Sequence, residues 1–191
     1  MRKRKWLLFF LTLAVVDGLF FLWWVTREKE HRYDDAIIAA ATTYGMHPAL
    51  IKAVVWKESR FDADARGTAQ ELGLMQIREP AAMEWAEAEK RSGFSHSDLL
   101  DPKLNTLAGT WYLRKLLRRY PQTDNPLAYA LADYNAGRTH VLRWNKGAAS
   151  TNSAAFLAAM DYPGTKQYIL DVSERFKHYQ AEFPVPQTAQ R

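Results

Sequence analysis

The chain has 191 residues, 48% of them apolar and 13% aromatic, no cysteine, and a formal net charge of +5 at pH 7. That length allows one domain of ordinary size plus an appendage, and the absence of cysteine excludes a disulfide framework, a thiolate metal site and a lipid-modified N-terminal cysteine. Much of the charge belongs to the start of the chain, where Arg2, Lys3, Arg4 and Lys5 face only Asp17; the rest carries +2 and implies no nucleic-acid partner.

The basic cluster precedes Trp6 to Val25, an apolar run broken only by Thr12, Asp17 and Gly18. Such a run matches a hydrocarbon core of roughly 30 Å. The cluster favours a cytoplasmic N-terminus with the remainder exported, and Trp6, Trp23 and Trp24 fit an aromatic belt at the two interfaces. A cleaved signal peptide is the competing reading, but no small-x-small site stands near Val25 or Thr26. Asp17 costs about 2.5–3.5 kcal/mol near a helix centre, which the surrounding Leu, Phe and Val outweigh. The expectation is a basic cytoplasmic tail at 1–5, an uncleaved transmembrane anchor at 6–25, an extended linker at 26–32, a domain at 33–181 and a flexible tail at 182–191.

Beyond the linker the patterns are helical almost throughout. A first helix covers 33–44 and ends at Gly45. Pro48 opens a second, whose stripe of Leu50, Ile51, Val54 and Val55 leads to Glu58. Residues 59–72 read as loop, and a helix follows over 79–91. "SHSDLLDP" is a connector. A strong helix over 103–119 turns Leu104, Leu107, Trp111, Leu113, Leu116 and Leu117 inward, and the basic residues of "LRKLLRRY" read as its solvated face. Asn125 caps a helix opened by Pro126 and closed at Gly137. A short helix over 138–146, a loop at "GAASTNS" and a last helix over 164–180 complete the chain. No stretch alternates like a strand. The fold class is all-α: one compact helical domain preceded by one N-terminal transmembrane helix.

Glu58 follows Ile51 by seven and Val54 by four, which places it on the apolar face of its helix. Burial there raises a carboxyl pKa, as a general acid near neutral pH requires. The plainer alternative is a frayed helix end with Glu58 paired to Lys57 or Arg60. In "GLMQI", Gly73 permits close backbone approach and Gln76 offers two donors and an acceptor, although alone the stretch reads as a helix start. Tyr134 shares a face with Leu127, Ala130 and Leu131; Tyr134 and Asn135 read equally as a core tyrosine and a capping asparagine, and Tyr168 as core.

A set of motifs in fixed order carries a resemblance. Glu58-Ser59-x-Phe61 is followed by Gly73-Leu74-Met75-Gln76, then by Asn105 within "LLDPKLNTLAGTWYLRKLL", by "ALADYNAG" at 130–137, and by "GTKQYILDV" with Tyr168. The chain resembles the lytic transglycosylases with a soluble-lytic-transglycosylase (SLT) catalytic domain, over roughly 34–180. The resemblance implies a lysozyme-like fold and cleavage of the MurNAc–GlcNAc β-1,4 bond of peptidoglycan, with closure of a 1,6-anhydro ring. It makes Glu58 the catalytic acid and then base. Ser59, Met75, Gln76, Tyr134, Asn135 and Tyr168 become substrate-binding residues, with Tyr168 orienting Glu58 and with Tyr134 and Met75 excluding water. It implies no metal and no organic cofactor; the partners are glycan strands and, through 6–25, the inner membrane, with the domain on its outer side.

The pattern departs at three places. Gly67 stands where many members have serine, Gln70-Glu71 where Gly-Ala is usual, and Gly164-Thr165 where Glu-Thr is usual. Glu71 is therefore a candidate second carboxylate, or else a loop acceptor. Two other functions are distinguishable: a goose-type lysozyme-like hydrolase, with Glu71 or Asp62 positioning water, and an inactive glycan-binding scaffold of an envelope machine, against which the retention of Glu58, Gln76, Tyr134 and Asn135 argues.

Overall fold

The computed structural model describes residues 2–183, which divide into two compact units at Tyr33. The first is a single helix, α1 (Arg2–His31). It is long and apolar enough to cross a membrane by length and composition, and its large apolar side chains from Phe10 to Val25 are exposed. The helix does not stop at Val25. Thr26 bonds back to the carbonyls of Leu22 and Trp23 at 2.9 Å each, and the expected linker is helical as far as His31. At 1.5 Å per residue this stretch rises less than half as far as an extended chain would.

The second unit contains α2 (Asp34–Tyr44), α3 (Pro48–Ser59), α4 (Glu79–Ala88), α5 (Pro102–Leu117), α6 (Pro126–Ala136), α7 (Arg138–Trp144), α8 (Ser153–Ala159) and α9 (Pro163–Gln180), with 3₁₀ turns at His96–Leu100 and Gly147–Ser150. Among the described residues there is no strand, only isolated bridges of Leu72 with Arg66 and Ile77. Proline sits in the first turn of α3, α4, α5, α6 and α9, where its missing N–H costs nothing. The Asp101 carboxylate caps α5 by accepting from the N–H groups of Lys103 and Leu104 at 2.8 and 2.9 Å. Asn125 makes no side-chain cap to α6, contrary to expectation. Its neighbour Asp124 instead accepts from Ser153 N–H at 2.8 Å and so serves the start of α8. That helix begins at the end of the "GAASTNS" loop, in a stretch to which no element is assigned from sequence, and is docked by Phe156, fully buried and stacked on Tyr129 at 4.0 Å.

Helix α3 packs most extensively on α9, α2 on α5, and α6 on both α5 and α9. The inward face of α5 is rotated from the leucine pattern. Leu113 and Leu116 are buried, but so are Asn105, Thr106, Ala108, Gly109 and Thr110, while Leu104, Leu107, Trp111 and Leu117 are only partly covered. Small residues are needed on that face because the loop after α3 presses against it.

Lys52 is wholly buried in α3, with its ammonium 2.9 Å from Asp34 and from Glu182. The rings of Tyr179 and Phe183 lie 5.1 and 5.2 Å from it. The domain therefore extends through Phe183 rather than ending at 181, and only residues 184–191 of the expected flexible tail lie outside the described residues. Lys52→Ala leaves two carboxylates facing each other and is expected to cost about 3 kcal/mol, measurable as a lowered thermal midpoint.

Candidate active site

Helix α3 ends abruptly. Arg60 and Phe61 both have left-handed backbones (φ 53° and 61°), and Phe61 is buried. The reversal leaves Glu58 in the last turn of α3, facing a cavity of about 260 Å³ lined by Glu71, Gln76, Arg78, Tyr112, Asp133, Tyr134 and Asn135 among others. The wall opposite is the loop 61–78, which is held by side chains rather than by regular structure. Asn105, buried in α5, accepts from Met75 N–H and donates to the carbonyls of Leu72 and Leu99, all at 2.8 Å. Gly73 (φ 73°) lies against that amide so closely that a Cβ there would fall 2.2 Å from Asn105 Nδ2. Gln76, also left-handed at φ 49°, donates to Ala65 O and Gly73 O at 3.1 and 2.9 Å. The stretch is thus a turn and not a helix start.

Glu58 is held from the α9 side. The Tyr168 hydroxyl donates to Glu58 Oε1 at 2.5 Å. Burial pushes the Glu58 carboxyl up to about 7; the Tyr168 hydrogen bond opposes this, the Glu71 charge adds to it, and Lys57 opposes it least. Lys57 is itself engaged by Asp171 at 2.5 Å, and its hydrogen bond holds the Asp171 carboxyl below the ordinary range. Burial and the nearby Glu58 push the Tyr168 and Tyr134 phenols well up, so both remain donors. Tyr168→Phe removes the donor that favours ionised Glu58. It is expected to lower activity about tenfold and to move the alkaline limb of the pH profile upward, as a titration of initial rates would show.

Of the residues singled out by sequence, Glu58, Glu71, Gln76, Tyr134 and Asn135 line one cavity, and Tyr168 reaches it through Glu58. Asn135 is oriented by the Thr165 hydroxyl at 2.8 Å, the threonine that the Gly164-Thr165 pair keeps. Tyr134 spans the cavity floor to donate to Met75 O at 2.7 Å. Two residues stand elsewhere. The Ser59 hydroxyl bonds back to Val55 O at 3.2 Å, and the Met75 side chain is fully buried against Gly109, where a Cβ would meet its sulfur at 2.3 Å. Met75 contributes a carbonyl and core volume rather than a cavity wall. Asp62 is exposed, accepts from Asp64 N–H at 3.1 Å, and is absent from the cavity lining.

Asp133, within "ALADYNAG", was not singled out by sequence. It is buried and lines the cavity while accepting from Arg119 and Tyr120 at 2.6 Å each; Arg138 donates to the same Tyr120 oxygen at 2.7 Å. Among the described residues no group of acidic and histidine side chains is placed to hold a metal.

The Transglycosylase SLT domain family matches residues 35–157. The chain is 34% identical over 113 residues to the membrane-bound lytic murein transglycosylase F of Desulfosudis oleivorans, and 35% identical over 122 residues to the membrane-bound lytic murein transglycosylase C of Klebsiella pneumoniae. The matches take in 58% and 61% of this chain but 23% and 34% of those proteins, so the chain spans about a quarter to a third of their length. An inactive mutant of the lytic transglycosylase Slt from Pseudomonas aeruginosa superposes with a TM-score of 0.73 at 25% identity, over 82% of this chain and 25% of that one. The 70-kDa soluble lytic transglycosylase in complex with bulgecin A superposes with a TM-score of 0.73 at 23% identity, over 89% of this chain and 28% of that one. The helical frame around Glu58 and the glycine-marked loop facing it are thus those of a known group, and the chain belongs to the Transglycosylase SLT domain family.

Proposed function

We propose that the protein is a membrane-anchored peptidoglycan lytic transglycosylase, with α1 as a single-pass anchor in the cytoplasmic membrane and the helical domain on the outer side. The observation that carries the reading is Glu58, a carboxyl raised to about 7 at the wall of an open cavity and oriented by Tyr168. At neutral pH such a group is substantially protonated and can give its proton to the glycosidic oxygen. The C1–O bond then breaks and positive charge develops at the anomeric carbon, which the substrate's own N-acetyl group can share. Glu58, now a carboxylate, is stabilised by the Tyr168 hydroxyl and takes the proton of the C6 hydroxyl. That oxygen closes on the anomeric carbon, and Glu58 ends protonated, ready for the next bond. One residue serves both proton transfers, so the pair of working carboxylates of a hydrolytic glycosidase is not required.

Gln76, Tyr134 and Asn135 are the polymer-contacting residues in this reading. Gln76 presents its Oε1 because its amide protons are already spent on the loop. Asn135 presents its amide N–H groups because its Oδ1 is taken by Thr165. Incubation of purified murein sacculi with the detergent-solubilised protein tests the reading: soluble muropeptides should accumulate, and a folded protein that releases none contradicts it. A goose-type hydrolase is the second reading, favoured by one observation, the presence of Glu71 in the same cavity as Glu58.

A further inference from the structure

Two departures from the family pattern occupy one volume. A Cβ on Gly67 would lie 2.2 Å from Glu71 Oε2 and 2.9 Å from Gln76 Oε1. Gly67 is not among the positive-φ residues, so its backbone suits any amino acid and only the space forbids a side chain. The Glu71 carboxylate therefore fills the place that a side chain at 67 would take. It is pinned there by Ala69 N–H at 2.9 Å, while its backbone carbonyl accepts from Gly67 N–H at 2.8 Å. Glu71 Oε2 and Gln76 Oε1 both close on Gly67, and Glu71 and Gln76 line the cavity that Glu58 faces.

We propose, resting on the transglycosylase reading, that Glu71 is a second working carboxylate of this cleft: it accepts a hydrogen bond from a hydroxyl or amide N–H of the bound sugar, and it lays a fixed negative charge beside the anomeric centre that becomes cationic when Glu58 gives up its proton. A neutral side chain at 67 could make the hydrogen bond but could not supply the charge. The same charge acts on Glu58. The groups that face Glu58 are Lys57 from α3, Glu71 from the loop, Tyr134 from α6 and Tyr168 from α9. Lys57 is drawn off by Asp171, so Glu71 is the anion that favours the proton on Glu58 before the bond breaks. No bond is made or broken at Glu71.

Glu71→Gln keeps shape and removes charge. It is expected to lower cleavage of sacculi about tenfold and to shift the alkaline limb of the rate profile downward, so that three- to tenfold more activity is lost at pH 8 than at pH 6. Glu71→Asp, which keeps the charge, is expected to keep the wild-type limb. Gly67→Ser, which displaces the carboxylate without deleting it, is expected to reproduce the Glu71→Gln loss. The proposal is overturned if Glu71→Gln retains wild-type rates and limb, or if Gln and Asp variants lose activity equally alongside an equal fall in melting temperature, which marks Glu71 as a loop brace. Either result leaves the transglycosylase reading standing so long as the wild type cleaves and Glu58→Gln does not. Failure of the wild type to cleave overturns both.

Discussion

Replacing Glu58 by glutamine is expected to reduce strand cleavage by at least about 10²–10⁴-fold, because the amide matches the carboxyl in shape but can neither give nor take the proton. The loss should come without loss of fold. Burial holds neutral Glu58 in preference to its ionised form, so its contribution to stability is full below the ordinary carboxyl range and is lost as pH rises through about 7. The permanently neutral glutamine escapes that penalty. The variant should therefore melt like the wild type near pH 4 and be more stable above pH 7, by up to about 3 kcal/mol. Scanning calorimetry at the two pH values, beside an activity assay, checks both halves. A Glu58→Gln protein that is well folded and still active would move the chemistry elsewhere, with Glu71 the first residue to examine.

The second large effect concerns a residue that touches no substrate. Asn105→Ala removes three buried hydrogen bonds, to Met75 N–H, Leu72 O and Leu99 O. Each group left unpaired costs about 1–3 kcal/mol, so a loss of about 3–5 kcal/mol is expected against a total stability of roughly 5–15 kcal/mol. At 2–4 °C per kcal/mol for a domain of this size, the melting temperature should fall by about 6–20 °C. Activity should fall with it, because the loop carrying Glu71 and Gln76 hangs from this amide. Asn105→Asp should do no better: it keeps the acceptor for Met75 but turns a carboxylate oxygen toward two carbonyls. A variant within about 1 kcal/mol of the wild type would mean that the loop is held by other means.

Helix limits were legible where single residues carry the signal. Gly45, Pro48, Pro126 and Gly137 mark their elements because a left-handed cap or a first-turn proline is a local property. Helix α8 was not, since it starts only at the last residue of "GAASTNS", is a short run of mostly alanine, and depends on Phe156 stacking on Tyr129 and on the bond from Ser153 N–H to the distant Asp124. The rotated face of α5 was hidden for the same reason: Asn105 and Gly109 are buried by a distant loop, and leucine spacing does not report that. Glu58 could be found because an acid on an apolar helical face is a local anomaly. Ser59 and Met75 share its motifs but serve the backbone and the core. The exchange of volume between Gly67 and Glu71 exists only in three dimensions.

In the proposed reaction Glu58 gives a proton to the leaving oxygen and takes one from the C6 hydroxyl, so that this hydroxyl and not water reaches the anomeric carbon. An oriented intramolecular hydroxyl can have an effective concentration of about 10⁵–10⁸ M, enough to exclude water wherever the cleft folds the sugar correctly. Mass analysis of the muropeptides released from purified sacculi, before and after borohydride, tests this most directly. Chain ends one water lighter than hydrolysed ones and unchanged by borohydride are expected. Ends that carry the added water and are reduced by borohydride would contradict that reaction and make the protein a hydrolase.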